Sequence, residues 1–271
     1  MRRSSVRRWG LLIGLAAWSG TAAGQGVGDL EPSGSRPVIQ AIPSQASYQL
    51  NAALGRLAAN PADTDALIAA GTAALELGDQ EAALGFFAKA DQLAPGNPRA
   101  KVALAGAMVR NDNPYDALRL FDEAERAGAS VALLAGDRGL AYDLVGANSD
   151  AQRYYRQALA AAPSDEVVRR LALSLAISGD RKGFEAALAP QLQRQLPAAW
   201  RARAFALAIL GSEAEAVAIT NRTMPATLAQ GIAPYLRYMP RLTPAQQAAA
   251  ANFGHFPRAA QIGRDDPRAA R

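Results

Sequence analysis

The segment ALGFFAKADQLAP at residues 83–95 returns as ALRLFDEAERAGA at 117–129 and as AQRYYRQALAAAP at 151–163. The interval is 34 residues both times. Nothing else in the sequence restricts the fold so tightly. Self-similarity at this period means that one supersecondary unit is written several times, and that each copy hides its apolar face against the next. Apolar residues within a copy recur at three- and four-residue steps, as at Leu67, Ala70, Ala74 and Leu75, which is the period of an amphipathic helix. From Ser44 to about Asn221 there is no alternating run long enough for a strand. The expected fold class is all-α, a stacked array of helical hairpins.

Aligning the chain at this interval sorts its residues into columns. Ala83, Ala117 and Ala151 share one, Phe87, Phe121 and Tyr155 the next, and Ala90, Ala124 and Ala158 a third. Upstream stand Gly71, Ala105 and Gly139. Pro61, Pro95, Pro163 and Pro197 form a last column, with Ala129 standing in once. Packing explains each. A small residue on the first helix lets the second approach, and the second answers with an alanine. One turn later an aromatic fills the gap toward the next unit, and a further alanine lets that unit dock. Proline ends the second helix because it has no amide hydrogen and clashes with the preceding turn. Gly78-Asp79, Asn111-Asp112-Asn113 and Gly146-Ala147-Asn148 lie between the helices and tolerate left-handed backbone angles. Half of the sequence is apolar but only 6% is aromatic, so close approach through small side chains must build most of the core.

These columns resemble the tetratricopeptide repeat (TPR) family. Three units match well, at 64–97, 98–131 and 132–165. A fourth at 165–197 keeps Leu171, Ala172, Leu175 and Gly179 but has Phe184 at the usual small position. A fifth begins near Pro197 with Trp200, Leu207, Gly211 and Ala216, if the register shifts by about three residues. Residues 44–60 read as a lone second helix, started by Ser44 and ended at Pro61, that caps the array. The resemblance covers 44–223 and implies a right-handed superhelix, a TPR-like α-solenoid. The chain also resembles periplasmic repeat proteins of alphaproteobacteria in which a similar array precedes a peptidoglycan-binding sporulation-related (SPOR) domain; no such segment is expected in this sequence. Residues 224–254 are expected to form a C-terminal helical cap, with Thr243 capping, Pro244 starting and Gly254 closing a short helix. Residues 255–271, polar, arginine-rich and broken by proline, are expected to be a flexible tail.

The formal charge of +5 is unevenly placed. Four arginines lie in residues 1–24, and the stretch from Asn252 holds four arginines and two aspartates, which leaves the body between them close to neutral. A nucleic-acid surface needs clustered cations with aromatics for stacking, and none is apparent, so no nucleic-acid partner is expected. The N-terminus reads as an export signal: MRRSSVRR is a basic region, WGLLIGLAAW a short apolar core, and TAAGQ supplies small residues for cleavage between Ala22 and Gln25. The apolar run is about ten residues, roughly half of what spans a bilayer. Two arginine pairs leave the twin-arginine route open. Residues 25–43 read as a linker. With no cysteine, neither a disulfide nor a lipid-bearing thiol is expected. The expected location is the periplasm or the exterior, with no membrane span after signal removal.

Chemistry is sparse. His255 is the only histidine, so the usual zinc and copper ligand sets are excluded. Asn111-Asp112-Asn113 with Asp116 hints at a calcium loop, but it lacks the central glycine and closing glutamate, Pro114 interrupts it, and it coincides with an interhelical turn. No GxSxG elbow or phosphate-binding glycine loop appears. Glu76, Glu81, Asp122, Glu123 and Glu125 read as solvated helix faces. No enzyme activity and no cofactor are expected; the rival reading is an active site in 225–256 with His255 as acid or base.

What remains is a surface. The resemblance implies that first helices line a concave groove. Asp65, Thr72 and Glu76 would show there from the first unit, with Arg99, Val102 and Arg110 from the second and Leu133, Leu140 and Asp143 from the third. Arg169, Leu173, Arg201 and Phe205 would follow from the last two. The four arginines would fork onto carboxylates of an extended peptide or a chain end. The Lys and Asn clamp that some family members use on acidic peptide ends is not present. The expected function is a non-catalytic scaffold that binds a protein or peptide partner in cell-envelope assembly or maintenance; a subunit of a pilus or secretion assembly is the alternative.

Overall fold

A computed structural model of the chain describes residues 43–270. The expected signal at 1–24 and all but the last residue of the 25–43 linker lie outside the described residues. Among those described there is no strand. The described residues open with α1 (Gln45–Ala59) and then make five antiparallel hairpins. These are α2 (Thr64–Glu76) with α3 (Gln80–Leu93), α4 (Pro98–Arg110) with α5 (Pro114–Arg126), α6 (Val131–Leu144) with α7 (Asn148–Ala161), α8 (Asp165–Ile177) with α9 (Arg181–Gln193), and α10 (Pro197–Ile209) with α11 (Glu213–Thr223). α12 (Ala226–Tyr238) and α13 (Pro244–Phe253) follow.

Local chemistry fixes where these helices start and stop. Ser44, Asp63, Asp79, Asn97, Ser164 and Asp180 each accept a hydrogen bond from a backbone N–H of the first turn that follows, satisfying a donor with no partner inside the helix. The turn within a hairpin needs one left-handed residue. Gly78 (φ 82°) and Gly146 (φ 81°) supply it, and Asp112 (φ 59°) does so in the unit between them. The Asn111–Asn113 stretch is therefore an interhelical turn, and no group of three possible metal ligands occurs among the described residues.

The columns pack as their residue types require. Phe87, Phe121 and Tyr155 are all buried. A Cβ on Gly71 would lie 2.5 Å from the Phe87 ring, and one on Gly139 would lie 2.7 Å from the Tyr155 ring. Glycine here is what lets an aromatic of the second helix lie on the backbone of the first. In the degenerate fourth unit, Phe184 and Leu188 are both buried completely. A large side chain at the usually small position is thus absorbed by the core.

Neighbouring first helices touch directly: α2 meets α4, α4 meets α6, α6 meets α8 and α8 meets α10. The second helices show no comparable pairing with one another, so the first helices form the inner wall of the curve. α12 packs on α11 and runs unbroken through Gly231 and Pro234. A 3₁₀ turn at Met239–Arg241 then turns the chain back, and α13 lies across α6, α8 and α10. The C-terminal helix thus rests on the inner wall. It is closed by a Thr243–Gln246 capping box and by Gly254 at φ 71°. Residues 255–270 differ from an unattached tail. They carry two 3₁₀ turns at Ala259–Gln261 and Pro267–Ala270. Gln246 Nε2 donates to the carbonyls of Gln261 and Arg264, and the Arg268 guanidinium lies 4.5 Å from the Tyr115 ring centroid. No described helix is long and apolar enough to cross a membrane.

Candidate functional site

Successive first helices bring side chains from several units together on the inner wall. Arg110 ends α4, Leu140 lies on α6, Arg169 and Leu173 on α8, and Arg201 on α10. These five, with Phe253 of α13, line one cleft of about 190 Å³. They are five of the thirteen residues expected from sequence to line the groove. Arg99 stands apart at the α2 edge, in an ion pair with Asp65 at 3.0 Å in which both side chains are more than 60% exposed. Such a pair contributes little to stability.

Asp137 anchors the cleft. It pairs with Arg110 at 3.3 Å and with Arg170 at 2.9 Å. Burial alone would raise its pKa, but the two guanidinium charges outweigh that and hold it at about 2. Arg170 also pairs with Glu166 and donates to the Gly136 carbonyl, so it is used structurally. Arg169 is different, because its side chain donates only to the amide oxygen of Gln191, at 3.3 Å. Arg201 is exposed and makes no hydrogen bond or ion pair among the described residues. Two guanidinium groups therefore border the cleft without an ion pair of their own, while the one carboxylate that lines it, Glu166, pairs with Arg170. The planar fork of arginine suits a carboxylate in that position.

The remaining expected residues are placed otherwise. Asp143 does not face the groove. It is buried between α6, α7 and α8, where its carboxyl accepts from Asn148, Tyr155 and Ser174, because its helical angle aims it into the hairpin. Val102, Leu140, Leu173 and Phe205 are not open groove wall either, since each is less than 6% exposed. Val102 and Leu140 share an apolar cluster with Ala248 of α13, and Leu173 and Phe205 share one with Ala250. Asp65, Thr72, Glu76 and Leu133 are exposed. Sequence reasoning missed Asp137, Glu166 and Arg170. Glu166 and Arg170 stand four apart and could have been found as a helix pair. Phe253 carried no signal, because only the return of α13 brings it to the cleft.

A second cleft, of about 610 Å³, lies between residues 255–268, α13 and the α4–α5 turn. His255 borders it, exposed, with its ring centroid 5.6 Å from that of Phe253. The imidazole makes no hydrogen bond among the described residues.

No family model matches the sequence, and no curated protein matches it. Among solved structures the chain is similar to YrrB, described as a TPR protein with an unusual peptide-binding site. The identity is 18% over 69% of this chain and 99% of that one, with a TM-score of 0.48. It is also similar to a chain of Naa15/Naa10 bound to HypK-THB, at 17% identity over 77% of this chain and 34% of that one, with a TM-score of 0.36.

Proposed function

We propose that the protein is a non-catalytic scaffold that binds a partner protein by seating a carboxylate-bearing segment on the inner wall of its helical array. One observation carries this reading: Arg169 and Arg201 border the same cleft, and neither has a carboxylate partner among the described residues. Charged side chains left over on an otherwise ion-paired wall are where a ligand gains most from charge-assisted bonds. The export signal expected at residues 1–24 and the sequence resemblance support a setting in the cell envelope for this binding.

Selection from a random peptide library on the purified protein tests the binding site. Sequences rich in Asp and Glu, or ending in a free carboxylate beside an acid, are expected to be enriched, and to bind an Arg169→Glu/Arg201→Glu variant at least about tenfold more weakly. Enrichment of peptides that lack acids, or equal binding to both proteins, would overturn the assignment. Fusion of residues 1–43 to a phosphatase that is active only after export tests location, and an inactive fusion would overturn it.

A further inference from the structure

α13 occupies the inner wall without being bonded to it. No hydrogen bond and no salt bridge joins residues 242–270 to residues 43–238 among the described residues. The side-chain hydrogen bonds that this arm does make run within it or to the turn that leads into it. Gln247 Nε2 donates to the Met239 carbonyl and Asn252 Nδ2 to that of Ala248. Gln246 accepts from the backbone of Thr243 and Gly263 while it donates to Gln261 and Arg264.

What α13 gives the wall is chiefly a face of alanines. Ala248 and Ala250 are completely buried, yet none of the largest fully buried side chains of the protein belongs to α13. An alanine buries little apolar area compared with the Phe, Tyr and Leu of the array. The remaining attachments are the Tyr235–Phe256 ring pair, with centroids 4.7 Å apart, Arg268 over Tyr115, and the side chains of Leu242, Phe253 and Ile262, of which Phe253 and Ile262 are only partly buried against the array. Charge is poorly matched as well. The last turn of α13, at Ala251, Asn252 and Phe253, lies in the arginine cleft and holds no acid, so it offers Arg169 and Arg201 only the partial negative charge of a helix C-terminus.

We infer that the inner wall is a groove for a short helix, that α13 is its resident occupant, and that the partner is a helical segment with a small-residue face and a carboxylate at its C-terminal end, which displaces α13. The inference rests on the function proposed above and names the ligand of that same site. A small-residue face is what the wall already accepts. The carboxylate supplies ion pairs with Arg169 and Arg201 that α13 cannot make, so exchange favours the partner.

The sequence has no cysteine, so one introduced thiol reports cleanly on opening. Ala250→Cys places it under α13, and Ala83→Cys places it between α2 and α3; both sites are 0% exposed. In the full chain, the A250C thiol is expected to react with a maleimide about a hundredfold faster than the A83C thiol, because the arm opens without the array unfolding. The probe is a synthetic peptide carrying residues 243–253 followed by two glutamates. At saturation it is expected to accelerate A250C labelling about tenfold further and leave A83C unchanged. The same peptide without the glutamates should accelerate it less, and Arg201→Glu should remove the difference between the two.

Equal labelling of the two thiols would make α13 an inseparable part of the core and overturn the inference, as would a labelling rate indifferent to both peptides. Hydrogen exchange of residues 243–262 in the unsubstituted protein repeats the test if A250C lowers the melting temperature. Acidic peptides from the library that bind through Arg201 while α13 stays protected would leave the proposed function standing and remove this inference alone.

Discussion

The Tyr155 hydroxyl donates to Asp143 Oδ2 at 2.9 Å, deep in the third hairpin. The other carboxyl oxygen accepts from Asn148 Nδ2 at 2.6 Å and from Ser174 Oγ at 2.7 Å. One side chain of α6 thereby fastens α7 and, across the unit boundary, α8. All three donors are neutral, and no ion pair accompanies the carboxyl. Burial is the dominant influence on it and pushes its pKa up to about 7, against the opposing pull of the three donors and the nearby Arg170 charge.

That raised value makes stability pH-dependent. The unfolded carboxyl ionises near pH 4 and the folded one near 7, so the contribution of Asp143 is fully present below pH 4 and is lost as the pH rises to 7, by up to about 4 kcal/mol. The charged and titratable groups that act on it are Tyr155 and Arg170, and neither changes state in that window. Urea midpoints measured at pH 4.5 and pH 8 are expected to be higher at the lower pH for the native protein and closer together for Asp143→Asn. Identical slopes in the two proteins would disprove the assignment.

Asp137 acts in the opposite direction and in a lower window. Its folded pKa of about 2 lies below the unfolded value of 3.8. Its contribution is therefore present above pH 4 and is lost as the pH falls toward 2. Asp137→Asn leaves Arg110 without its carboxylate, while Arg170 keeps Glu166. The expected loss at pH 7 is about 1–3 kcal/mol, read from chemical denaturation, and it should shrink to a few tenths of a kcal/mol, on the order of RT, at pH 2. A loss that persists undiminished at pH 2 would show that packing, not charge, is responsible.

Glycines in helices usually lower stability, yet two here cannot be replaced. Gly71→Ala and Gly139→Ala drive a methyl into the rings of Phe87 and Tyr155, with an expected loss of about 1–3 kcal/mol each. Gly55 and Gly85 have nothing within 4 Å of an added Cβ, so Gly55→Ala and Gly85→Ala should each stabilise by about 0.5–1 kcal/mol. Melting temperatures of the four variants check both signs at once.

Asp112 takes the left-handed turn conformation that glycine takes at the equivalent positions 78 and 146. Asp112→Gly relieves the steric cost of a Cβ there but frees the unfolded chain, for an expected net gain of a few tenths of a kcal/mol up to about 1. A melting temperature that falls would mean that the aspartate side chain contributes to the turn.

Much of the architecture was legible because its causes are local and repeated. The Gly71–Phe87 and Gly139–Tyr155 contacts lie within single hairpins, and the 34-residue period announces them. The site was legible only in part. Arg169 and Arg201 reach one cleft because they hold equivalent positions on successive first helices, whereas Arg110 reaches it from the far end of α4. Asp143 was misplaced because a helix carries inner and outer positions about one residue step apart, and spacing alone does not fix which neighbour each one meets.

The sequence by itself determined the hairpin unit, its repetition and the residues that let each unit dock on the next, since each of those contacts joins segments at a fixed short separation. Only the tertiary structure decided that the chain turns back at Met239 and lays α13 across α6, α8 and α10. That docking depends on a surface assembled from three units at once, and the alanines that fill it carry no periodic mark to say where they belong.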